Sequence, residues 1–281
     1  PDILAAFKSQ FDRTLLPVLL RYSTPLLIAG LAGTVNEALD RILLKHLLSP
    51  ESIPMEQLGI YGANYKMAVL MTLFVQMFKY AAEPFFFSRS KDSNAKKLYA
   101  DVMTFFVISG LVIFLLVNIY LDYFILFIGK DFREGVGIVP VVLMANLVMG
   151  IFFNLSIWYK LTNKTYFGAI LVILGAVLTV VINVLFIPRY GYVASAWAHL
   201  ICYSTMVIAS YAWSRKHYAV PYKTLRIVGY ISVALVFFFL NELFLQQMEK
   251  MKELLGLLLL GLFVAWAIYR ERSVFNAYKQ A

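Results

Sequence analysis

Eight blocks of predominantly apolar residues divide the chain, running roughly Leu15 to Leu47, Leu58 to Phe87, Tyr99 to Ile128, Gly135 to Leu161, Thr165 to Ile187, Tyr192 to Trp213, Leu225 to Leu245 and Leu254 to Tyr269. A helix of about 20 apolar residues crosses a bilayer, so the pattern predicts an all-α, polytopic membrane protein of eight transmembrane helices. Several blocks exceed the minimum, which predicts tilting or protrusion beyond the lipid. The connections, such as Ser49-Pro50, Asn163-Lys164 and Pro188-Arg189-Tyr190-Gly191, are short and rich in turn residues and leave no room for a separate soluble domain.

Composition strengthens this picture. The 281 residues are 61% hydrophobic and only 15% charged, against about 45–50% and about 25% in ordinary soluble domains. The net charge of +9 matters here through its distribution rather than as a sign of nucleic-acid binding, which is not expected. One alternating set of loops holds Lys8, Arg13, Arg21, Arg89, Lys91, Lys96, Lys97, Lys160, Lys164, Arg215, Lys216, Lys223, Arg226, Arg270, Arg272 and Lys279; the other holds Lys45, Lys130, Arg133, Arg189, Lys250 and Lys252. Sixteen cations against six predict, by the positive-inside rule, that both termini are cytoplasmic. Tyr120, Tyr123, Trp158, Tyr159, Trp213 and Tyr269 stand near helix ends, as interfacial anchors do. Cys202 is the single cysteine, which excludes an intramolecular disulfide and predicts a small buried residue. The chain opens at Pro1 and is expected to be a piece of a longer protein.

Charges within the spans carry the functional information. Arg41, Lys66 and Lys79 lie inside the first two, together with Glu37, Asp40 and Glu83. A charge near the middle of a spanning helix costs about 2.5–3.5 kcal/mol on insertion scales, so it faces a partner, the protein interior or a wet cavity. At about 100° per residue, Tyr61, Tyr65, Thr72, Gln76, Lys79 and Glu83 fall on one stripe of the second span, with Lys66 to one side and Lys79 and Glu83 spaced for an i,i+4 contact. On the first span Gly30, Gly33, Thr34, Glu37, Asp40 and Arg41 share a broad face, with Glu37 and Arg41 four apart. Two readings stay open: internal ion pairs between packed helices, or a polar cavity that takes a ligand, which the uncharged polar groups on the same stripe favour. Gly30 and Gly33 are expected to permit close helix packing, Pro25 and Pro84 to bend or end their helices, and His199, Asn146, Asn154 and Asn183 to hydrogen-bond between helices. No catalytic triad, metal-spaced cluster or phosphate-cradling glycine loop can be assembled, so neither an enzyme nor a metal site is expected.

The order of these features resembles a known family. Tyr22-Ser23-Thr24-Pro25-Leu26-Leu27 running on to Asp40-Arg41 is similar to the seventh helix of oligosaccharide flippases in the multidrug, oligosaccharidyl-lipid and polysaccharide exporter superfamily. Gly59-Ile60-Tyr61, followed by a long helix ending Ala82-Glu83-Pro84, looks like their eighth. Asn183 and the run Ile187-Pro188-Arg189-Tyr190-Gly191-Tyr192-Val193-Ala194-Ser195-Ala196 resemble the junction of helices eleven and twelve, with Ala194-Ser195-Ala196 where Gly-Ala-Ala is common. The match implies a second six-helix lobe over residues 1–214 and two additional helices over 215–281, with a missing N-terminal lobe on the same chain or a partner.

The resemblance further implies alternating access in a bacterial inner membrane, around a cationic cavity for a polyprenyl-diphosphate-linked oligosaccharide whose tail stays among membrane lipid. On that reading Arg41, Lys66 and Lys79 attract the pyrophosphate, and Gln76, Tyr61 and Tyr65 bond sugar hydroxyls. Glu37, Asp40 and Glu83 pair with the cations or take a coupling proton or sodium ion; no other cofactor is expected. The export would serve polysaccharide or lipopolysaccharide (O-antigen) synthesis. The alternatives are an ion-coupled multidrug antiporter, favoured by acids and aromatics over free cations, and a membrane-embedded glycan polymerase or ligase, which needs a substantial outer loop.

Overall fold

The computed structural model describes residues 14–48, 54–245 and 252–279; the loop cations Lys8, Arg13 and Lys250 and the Ser49-Pro50 connection lie outside them. Among the described residues every regular element is helical, and eight helical segments are long and apolar enough to cross a membrane. The helices are α1 (Leu15–Leu47), α2 (Pro54–Tyr65), α3 (Val69–Ser88), α4 (Ala95–Ile119), α5 (Val139–Leu155), α6 (Ile157–Leu161), α7 (Tyr166–Tyr190), α8 (Tyr192–His217), α9 (Thr224–Leu245) and α10 (Lys252–Lys279). α2 and α3 form one span joined by a 3-10 turn at Lys66–Ala68, and α5 and α6 form another with the 3-10 stretch Lys130–Ile138 before them. The third span stops at Ile119, short of the sequence expectation, and gives way to the short turns Leu121–Phe124 and Ile125–Phe127.

The polarity of α1 is inside out. Its buried residues are Asn36, Asp40 and Leu44, spaced four apart, while Val18, Leu27 and Leu31 are exposed. In lipid this is the favourable arrangement, because apolar side chains gain nothing by leaving the hydrocarbon and polar ones need internal partners. α1 packs along α7, α7 along α8 and α8 along α5; α3 and α4 close the other side of α5. α9 and α10 pack on α4 and on each other. Pro25 and Pro84 end neither helix: α1 runs 22 residues past Pro25 to Leu47, and α3 continues to Ser88.

Close helix contact occurs at other glycines than the expected pair. Gly30 has nothing within 4 Å of an added Cβ, and Gly33 only Val172 Cγ1 at 4.0 Å. At Gly150 on α5, by contrast, a Cβ would meet Val75 Cγ2 of α3 at 3.0 Å and the Phe106 ring of α4 at 2.9 Å or less, so three helices converge there. Trp158 and Tyr159 are 0% and 4% exposed and belong to the core rather than to an interfacial belt. Trp158 Nε1 donates to Ser210 Oγ at 3.1 Å, and its ring stacks on His217.

Candidate functional site

The 3-10 turn splits the polar stripe of the second span. Three residues at about 120° rather than about 100° each turn α3 by roughly 60° relative to α2, so the residues on either side of Lys66–Ala68 face different neighbours. Asn64 reinforces the break: its Nδ2 donates to Ile60 O at 2.8 Å and to Phe132 O at 2.7 Å, tying α2 to the Lys130–Ile138 stretch.

Above the break, Tyr61 points into the protein. It is fully buried, as is Asp40 of α1 at 1% exposed. Asp40 Oδ1 accepts the Arg41 backbone N–H at 2.8 Å, and the carboxylate lies against the Tyr61 hydroxyl, with no cation paired to it among the described residues. Tyr65, His199 and Tyr203 complete this layer: His199 stacks on Tyr203 at 5.4 Å and meets Tyr65 edge-on at 6.3 Å, its Nε2 unpartnered. Asn183 Oδ1 accepts from Ser195 Oγ at 2.9 Å, joining α7 to α8, and the buried Cys202 donates to Gly175 O at 3.2 Å.

Below the break, α3 faces α5 and α6. Asn146 Nδ2 donates to Thr72 Oγ1 at 3.1 Å, Lys79 Nζ sits 4.4 Å from the centre of the Phe153 ring, and Lys160 Nζ bonds Glu83 Oε1 at 2.8 Å. These contacts repeat every seven residues on the α5–α6 side. Asn154, expected to bridge helices, donates instead to Gly150 O in its own helix at 3.3 Å and leaves its Oδ1 unpaired. A narrow cleft of about 20 Å³ lies beside Lys79, Glu83, Asn154 and Lys160, little more than room for one water.

Both expected intrahelical pairs are therefore absent. Lys79 and Glu83 do not meet, because the Glu83 carboxylate is taken by Lys160, a residue the sequence assigned to a loop. Nor does Arg41 meet Glu37: its guanidinium lies over the Tyr65 ring, 5.5 Å from the centre. Arg41, Lys66 and Lys79 have no carboxylate within ion-pair distance among the described residues. Glu37 and Lys66 are exposed, and Gln76 is half-buried. Glu37 lies within electrostatic reach of both Tyr65 and Lys79.

A second charged cluster went unnoticed in the sequence. Glu271 of α10, 1% exposed, accepts from Tyr230 at 2.9 Å and pairs with Arg226 at 3.2 Å and Lys223 at 3.4 Å, while Lys223 also pairs with buried Asp101 of α4 at 2.8 Å. Its members lie at or just beyond the edges of the apolar blocks, where a charge reads as a loop residue.

No protein-family model matches the chain, and no curated protein matches it. Among solved structures the chain is similar to a MOP superfamily transporter from Pyrococcus furiosus Vc1, for which a binding pocket of reverse polarity is described as suggesting a different function. The two share 17% sequence identity, and the match covers 92% of this chain and 65% of that one with a TM-score of 0.57. The chain thus shares its fold with the matched part of that transporter and spans 65% of that protein's length.

Proposed function

We propose that this chain is one lobe, with two additional helices, of a transporter that flips polyprenyl-diphosphate-linked oligosaccharide across a bacterial inner membrane. The observation that carries the reading is the state of the cations: Arg41 and Lys79 rest on aromatic faces and Lys66 is exposed, all three without a carboxylate partner. A cation held on a ring keeps its N–H donors free for an anion, and desolvation strengthens that attraction. Internal ion pairing, the competing account of these charges, would consume them. Gln76 and Tyr65 supply amide and hydroxyl groups for sugar on the same helices, whereas Tyr61, first expected among them, is fully buried beside Asp40 and belongs to that inner layer.

Asp40 suits the coupling ion. A buried carboxylate with only a backbone N–H and a tyrosine hydroxyl beside it is costly unless a cation reaches it, so proton or sodium entry would stabilise this layer and link it to lobe motion. The missing N-terminal lobe, on the same chain or a partner, supplies the opposite wall; the narrow cleft beside Lys79 fits a half-site.

The test is glycan export by the complete protein carrying Lys79→Gln or Arg41→Gln. Export falls at least tenfold while folded yield in detergent is unchanged, since neither cation is held in a direct ion pair. A matching loss of folded yield, or export at the parental level, would refute the diphosphate role. Asp40→Asn is expected to retain binding of the lipid-linked glycan and lose dependence on the ion gradient.

A further inference from the structure

A second cavity, open on one side and mostly apolar apart from two cations, lies at the start of α1. It spans about 840 Å³ between Val18, Arg21, Tyr22 and Pro25 of α1 and Lys164 and Tyr166 at the turn into α7. The turn is built rather than loose. Asn163 takes a positive φ of 56°, Lys164 N–H bonds Tyr159 O at 2.8 Å, and Thr165 Oγ1 donates to Tyr22 O at 2.9 Å, which fixes the turn against α1.

Three sources of positive potential therefore meet in one place: Arg21, half-buried Lys164, and the N-terminal end of the 25-residue α7. The side chains of Arg21 and Lys164 make no hydrogen bond or ion pair among the described residues. No carboxylate lines the cavity among those residues, and Glu83, whose charge reaches Tyr22, is already held by Lys160. The depth also fits a headgroup. A 33-residue helix is about 50 Å long; centred and upright it would overshoot a hydrocarbon core of about 30 Å by about 10 Å at each end, which puts Arg21, six residues or about 9 Å from the start of α1, at the headgroup boundary. Exposed Val18, Leu19 and Tyr166 border the cations with apolar surface.

We propose that this cavity binds the phosphate of an anionic membrane phospholipid, with Arg21 and Lys164 as its ligands and acyl chains lying along α1. The site is independent of the flippase reading, since it uses none of the residues assigned to glycan binding. Charge complementarity selects the occupant: a basic pocket between spanning helices at headgroup depth favours an anionic over a zwitterionic lipid.

The test is native mass spectrometry and thermal unfolding of the purified chain with phosphatidylglycerol, phosphatidylcholine or inorganic phosphate, for the parent and for Arg21→Gln/Lys164→Gln. The expected result is retention of phosphatidylglycerol at tenfold or more lower concentration than phosphatidylcholine, and loss of that preference in the double variant at unchanged folded yield without lipid. A variant that neutralises two cations on the opposite side, Lys130→Gln/Arg189→Gln, keeps the preference. Equal retention of the two lipids, a preference that survives Arg21→Gln/Lys164→Gln, or full competition by millimolar inorganic phosphate would each overturn the lipid site, the last by assigning the cavity to a free anion.

Discussion

Glu83 and Lys160 stand 77 positions apart and form the ion pair that frees Lys79. Their side chains are 39% and 13% exposed, so the pair is neither a surface bridge nor a fully buried one. Breaking a buried pair costs about 3–5 kcal/mol and a surface pair about 0–1; the partial exposure of Glu83 places this one at about 1–2. Lys160→Gln and Glu83→Gln are each expected to lower thermal stability in detergent, and the double variant to lose less than their sum. Strict additivity would show that the two charges act separately. Lys79→Gln, which breaks no direct ion pair, is expected to leave stability nearly unchanged, so the four variants together distinguish a structural cation from a ligand-facing one on neighbouring helices.

At the scale of the element, glycines and helix ends decide how the spans lock together. Gly150 lets α5 approach Phe106 and Val75, whereas Gly30 faces open space on α1. Overpacking a tight contact costs about 1–3 kcal/mol, so Gly150→Val is expected to lower folded yield and melting temperature while Gly30→Ala leaves both unchanged. Equal effects would mean that Gly150 does not set the α3–α4–α5 spacing. The charged cluster at Asp101, Lys223, Arg226 and Glu271 does similar work for α9 and α10, joining them to α4 through contacts of 2.8–3.4 Å. Glu271→Gln leaves Lys223 with Asp101 alone and is expected to speed proteolysis of the α9–α10 pair ahead of the remaining helices.

For the molecule as a whole, the sixteen-to-six division of loop cations predicts orientation. Reporter fusions after Ser90 and after Ala281 are expected to behave as cytoplasmic and one after Ser49 as exported; the reverse pattern would invert the topology. The match to 65% of a transporter's length, together with a site that is one wall rather than an enclosed cavity, predicts that the reconstituted chain alone does not move lipid-linked glycan. Transport without a partner would show either that two copies pair as lobes or that the two-lobe reading is wrong.

The sequence alone determined the number and positions of the spans and the all-α class. Those depend on transfer free energy summed over about 20 neighbouring residues, a quantity that composition and order contain in full. It also singled out Arg41, Lys79 and Asp40, because a charge inside an apolar block is conspicuous whatever the fold. The tertiary structure decided which charge meets which. A 3-10 turn of three residues rotates the stripe, Lys160 reaches Glu83 from another span, and Asp101 and Lys223 pair across 122 positions. Periodicity along one helix cannot carry such information, since ion-pair geometry is fixed by distances between segments remote in sequence and by the burial they create together.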